Sequence, residues 1–146
     1  MSLGGTLVKK FVDIPYIIGY NISGDNKMTR EFIMLPEFDK QWTSLGFSDN
    51  ELKALQEELT VNPLLGKVMQ GTGGLRKLRF AFENRGKSGS ARVCYVDFAV
   101  YEKIYLITAY SKNEKDNLSK EERNSIKSLL KALEKTISSS ERSNDK

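Results

Sequence analysis

The apolar positions change period along the chain, and the changes mark out its elements. Thr29-Arg-Glu-Phe-Ile-Met-Leu35 reads as a strand. From Pro36 to Leu45 the residues Phe38, Trp42 and Leu45 fall at i, i+4 and i+7, with Pro at the first helical position and acids in the first turn. That is a helix, and Gly46 ends it. Ser48-Asp-Asn-Glu51 forms a capping box that opens a second helix with Leu52, Leu55 and Leu59 inward, and Asn62-Pro63 stops it. The period then drops to two: Leu75, Lys77 and Arg79 point one way, while Arg76, Leu78 and Phe80 point the other. Ala91–Phe98 and Lys103–Tyr110 are rich in Val, Ile and Tyr and are joined by a short turn, so three consecutive strands make an antiparallel meander. Ser119-Lys-Glu-Glu122 is a second capping box, starting a helix with Ile126, Leu129, Leu130, Leu133 and Ile137 on one stripe.

The expected fold class is α+β: a small twisted antiparallel sheet in the order β-α-α-β-β-β-α, with a helical hairpin on one face. The terminal helix then packs on the same sheet or against a partner. Residues 28–137 form the domain. Residues 1–27 read as an N-terminal extension, in part a cloning remnant (Met1–Gly5) and in part turn-rich and poorly packed, and residues 138–146 as a flexible polar tail.

Composition narrows the chemistry. The chain has no histidine and a single cysteine, so a zinc site is not expected and an intrachain disulfide is impossible. Cys94 lies in the apolar run Val93–Phe98 and reads as a buried small hydrophobe. No apolar run reaches the ~18 residues of a membrane-spanning helix, and Asp13 and Pro15 interrupt the only segment resembling a signal peptide. A reduced, cytoplasmic setting is expected, with no cofactor and no metal.

The net charge of +4 is unevenly spread. Glu31–Thr60 holds seven acids against two bases, whereas Gly66–Lys115 holds ten bases against four acids. An acidic half followed by a basic half points to one face that meets a polyanion. Lys77 and Arg79 project from the same sheet face, Arg92 leads the next strand and Lys112 closes the one after it. Paired as a meander, the four converge on a cationic patch on the face left free by the helical hairpin. Crowded cations lower a lysine's pKa, which suits it to act as a general base, while arginines stabilise a charged phosphorane. RNA cleavage by a ribose 2′-hydroxyl fits this set, since the substrate brings its own nucleophile. Arg76, and Arg85 and Lys87 of the hairpin loop Glu83–Ser90, are candidates to contact phosphates. Tyr110 is a candidate to stack on an unpaired base; Tyr95 and Tyr105 are read as strand packing. The cluster Gly71-Thr-Gly-Gly74 lacks Walker spacing and precedes a strand, so it reads as a flexible lead-in to the cationic strand.

Three stretches carry a family resemblance: Gly71-Thr-Gly-Gly-Leu-Arg-Lys-Leu-Arg79, then Gly86-Lys-Ser-Gly with Arg92-Val-Cys-Tyr95, then Ile104-Tyr-Leu-Ile107 with Tyr110 and Lys112-Asn-Glu-Lys115. Together they resemble the RelE/ParE toxin superfamily, in its HigB-like branch, over roughly residues 28–137. The resemblance implies the toxin of a type II toxin–antitoxin pair, a metal-independent, ribosome-dependent endoribonuclease that cleaves messenger RNA in the A site. It implies as partners the ribosome, the message and an antitoxin of helix-turn-helix type. By position it puts paired strand cations at Lys77 and Arg79, the phosphate-stabilising arginine at Arg92 and a further base at Lys112. The arginine and stacking tyrosine of RelE-type members are replaced after the last strand, leaving Lys77, Lys112, Lys115 and Tyr110 as candidates for proton transfer and stacking. A ParE-like inhibitor of DNA gyrase, or an inactive relative that only binds RNA, is the alternative on the same fold.

Overall fold

The computed structural model describes residues 17–20, 27–81, 91–112 and 117–144. Strands β1 (Ile17–Tyr20) and β2 (Lys27–Met34) are followed by helices α1 (Pro36–Ser44) and α2 (Asp49–Val61). Strands β3 (Lys67–Val68), β4 (Arg76–Phe80), β5 (Ala91–Phe98) and β6 (Lys103–Ser111) come next, and helix α3 (Lys120–Asn144) is last. The fold is α+β, as the periodicities require. The strands form one sheet in the order β1-β2-β6-β5-β4-β3.

The meander β4-β5-β6 is antiparallel, but β2 joins β6 in parallel, with Glu31 opposite Lys103 and Met34 opposite Leu106. The sheet is therefore mixed. The reason is the hairpin α1–α2 between β2 and the meander: it lets β2 cross over and enter beside the last strand rather than the first. The Lys103 ammonium and the Glu31 carboxylate close this junction at 2.9 Å, and on the opposite face Arg30 grips Asp97 through Nε at 2.7 Å and Nη2 at 3.2 Å.

Two apolar layers flank the sheet. Phe32, Met34, Phe80, Val93, Tyr95, Ile104 and Leu106 pack against Phe38 and Trp42 of α1 and Leu52, Leu55 and Leu59 of α2. On the other side Cys94, Val96, Tyr105, Ile107 and Tyr110 meet Leu130, Leu133 and Ile137 of α3. The second layer corrects the expectation of a sheet with one open face: the stripe on α3 is apolar enough to need burial, and the sheet offers it. Cys94 is wholly buried, as its apolar neighbours imply.

Both capping boxes form. The Ser48 N–H donates to Glu51 Oε1, while Ser119 and Glu122 exchange backbone-to-side-chain bonds of 2.8 and 3.1 Å. Two boundaries move. Residues 17–20, read as part of a poorly packed extension, form β1 and extend the sheet beyond β2; residues 1–16 lie outside the described residues. Helix α3 runs to Asn144 instead of ending at Ile137, because no Gly or Pro after Ile137 breaks it. Among the described residues no helix is long and apolar enough to cross a membrane.

The glycine cluster is a built turn and not a flexible lead-in. Gly71, Gly73 and Gly74 take φ of 77°, 80° and 118°, which side chains rarely adopt. Thr72 is buried; its hydroxyl donates to Met69 O at 2.6 Å and accepts from Leu75 N at 3.0 Å, and Met69 N–H closes the turn onto Leu75 O. The turn thereby folds β3 back on β4. Gly66 is held more tightly still: a Cβ there would stand 3.0 Å from Lys77 O and from Tyr95 Cε1.

Candidate functional site

The register of β4 and β5 decides how the cations meet. Lys77 and Arg79 alternate with Leu78 and Phe80, which face α1 and α2, so both project toward the α3 side. Arg92 lies directly opposite Arg79, and Tyr110 directly opposite Arg92. Three of the predicted cations thus share one face and one end of the sheet. Lys112 is exposed immediately after β6, at the same end. The helix that covers this face reaches the group without hiding it: Arg79 is exposed, Lys77 and Arg92 half-buried. Lys77 Nζ donates to Asn117 Oδ1 at 2.8 Å, which ties the cationic strand to the segment leading into α3.

Like charges set opposite each other on adjacent strands are destabilising. Arg79 and Arg92 nevertheless occupy such a pair, and Arg92 Nη1 is buried without a hydrogen-bond partner among the described residues. An anion would supply the acceptor that this nitrogen lacks.

Other predicted residues fall elsewhere. Arg76 turns to the α1–α2 side, where its Nη1 donates to Gly66 O at 2.7 Å, so its guanidinium serves the fold and not the patch. Tyr110 is only 3% exposed, within the layer under α3, which removes it as a platform for an incoming base. Burial, with the neighbouring Cys94, pushes its hydroxyl up to about 12, against the opposing pull of Arg92. It stays neutral through the physiological range and cannot accept a proton as a base. Tyr95 and Tyr105 pack inside the sheet layers as expected. The Tyr95 hydroxyl donates to Pro63 O at 2.7 Å and accepts from Gly66 N at 2.9 Å, and burial raises its pKa. Arg85, Lys87 and the Glu83–Ser90 loop, and likewise Lys115, lie outside the described residues.

The arrangement offers clustered positive charge, a strand-borne arginine pair and a lysine fixed by an amide, with no group of three or more His, Cys, Asp or Glu that could hold a metal among the described residues. One comparison decides the family. The model of the family described as the RelE toxin of the RelE/RelB toxin–antitoxin system matches residues 36–142. This chain belongs to the RelE toxin family. The match takes in both helices of the hairpin, the whole meander and nearly all of α3, and therefore every cation of the patch. RelE toxins are one half of a toxin–antitoxin system, so an antitoxin partner follows from membership. The RelE match begins after β2, leaving the β1–β2 pair outside it.

Proposed function

We propose that this RelE-family toxin is a ribosome-dependent messenger-RNA endoribonuclease, working in the cytoplasm and silenced by an antitoxin of helix-turn-helix type. The observation that carries the reading is the Arg79–Arg92 pair, like charges directly opposed across two strands with Lys77 beside them. The substrate's 2′-hydroxyl attacks the adjacent phosphorus and the bond to the 5′-oxygen breaks, leaving a 2′,3′-cyclic phosphate and a 5′-hydroxyl. Arg79 and Arg92 neutralise the phosphorane as charge builds on its oxygens. A lysine, Lys77 or Lys112, takes the proton from the 2′-hydroxyl, and a second proton reaches the departing 5′-oxygen.

Incubation of the full chain with programmed ribosomes, followed by mapping of message 5′ ends, tests the proposal. Discrete new ends with the wild type and none with Arg92→Ala are expected. Growth arrest in cells with intact messages and signs of DNA damage would instead favour inhibition of DNA gyrase.

A further inference from the structure

The inward stripe of α3 runs through Ile126, Leu130, Leu133 and Ile137. Continued one turn toward the helix start, it arrives at Arg123, so an arginine occupies a position where the pattern calls for an apolar side chain. Arg123 is half-buried, and its Nε is enclosed without a hydrogen-bond partner among the described residues. Its neighbour Glu122 acts on the Tyr110 hydroxyl, and so does Arg92 from the strand opposite. Asn117, just before the helix, holds Lys77. The start of α3 and the cationic ends of β4 and β5 therefore converge on one small region. Two guanidinium nitrogens, Arg92 Nη1 and Arg123 Nε, are buried there with no acceptor among the described residues. Unpaired buried donors that carry charge are unfavourable, and a shared anion would satisfy both.

We propose that Arg123 is a phosphate ligand supplied by α3, which takes one phosphodiester of a single-stranded RNA between itself and Arg92. The choice of RNA rests on the endoribonuclease reading; the pairing of a helix arginine with a strand arginine does not.

The test is binding of the full chain to a short single-stranded RNA made uncleavable by 2′-O-methyl groups, measured across a salt series. Arg123→Met keeps the length and apolar stem of the side chain and removes the charge. It should bind roughly fivefold more weakly near 0.1 M salt, with the slope of log K against log salt flattened by about 0.7, the loss of one phosphate contact on a single strand. Arg123→Lys should keep the slope and lose only part of the affinity, since an ammonium is a point charge without the fork. Arg123→Met should melt no lower than the wild type. Wild-type affinity and slope in Arg123→Met would overturn the inference and leave Arg123 a packing residue. Should that variant not fold, Arg123→Gln carries the same slope measurement. A wild type that binds with an Arg123-dependent slope yet leaves messages intact on ribosomes would sink the nuclease reading alone. A wild type that cleaves, with an Arg123→Met variant that binds and cleaves equally well, would sink the Arg123 inference alone.

Discussion

Arg79 and Arg92 repel each other across β4 and β5, a placement that costs stability by a few tenths of a kcal/mol up to about 1 kcal/mol. Function and stability should therefore separate at these positions. Arg79→Ala is expected to abolish message cleavage while leaving the melting temperature equal or higher; loss of both together would make the residue structural. The buried tyrosines supply a second expectation. Burial raises the Tyr105 and Tyr110 hydroxyls from 10.0 to about 12. The folded chain holds these protons more tightly than the unfolded chain. Their contribution to stability is thus fully present below pH 10 and is lost as pH rises toward about 12. Tyrosinate absorbance of the wild type compared with Tyr105→Phe and Tyr110→Phe, followed beside an unfolding signal, should show the lost amplitude only as pH rises toward about 12; amplitude lost near pH 10 in the folded state would contradict their burial. At this scale the sequence was legible where alternation alone decides the matter. Lys77 and Arg79 on one face, with Arg76 on the other, follow from a period of two. Alternation does not say which face a distant helix will cover, so it could not foresee Tyr110 beneath α3 or the use of Arg76 on Gly66.

The helices were the most readable elements, because each opens on chemistry that can be named. Pro36 starts α1, and Ser48 and Ser119 begin capping boxes that the structure contains. Helix α3 shows the limit of such reading: its stripe announces burial without naming the surface that receives it. Leu133, 2% exposed between α3 and the sheet, tests that receiving surface. Leu133→Ala should cost about 2–5 kcal/mol in denaturant unfolding, as a cavity in a packed layer does. A cost below about 1 kcal/mol would mean that α3 does not rest firmly on the sheet. Strand β3 escaped notice because two residues, Lys67 and Val68, cannot display a period. The signal that was present is the turn chemistry of Gly71–Gly74, which folds that short strand back on β4.

For the molecule as a whole, the sheet depends on joining distant parts of the chain. Arg30 and Asp97 meet on the α1–α2 face with side chains 12% and 5% exposed. Arg30→Ala strands a buried carboxylate and should destabilise by about 3–5 kcal/mol, whereas replacing both partners with apolar residues should restore much of the loss. Equal damage from the single and double changes would mean that the pair contributes through shape alone. The parallel entry of β2 was not legible: hydrophobic pattern gives each strand a face and says nothing of which neighbour it chooses. That same junction has a consequence for synthesis. Strand β6 lies between β2 and β5, yet it is the last strand to be made, and Glu31 must wait for Lys103, 72 positions later. Until then β2 lacks its neighbour across the parallel junction, a pairing that closes slowly because its partners are remote in sequence. The antiparallel pair β4–β5 needs no such wait, so Arg79 and Arg92 are set opposite each other before β2 is joined to the sheet.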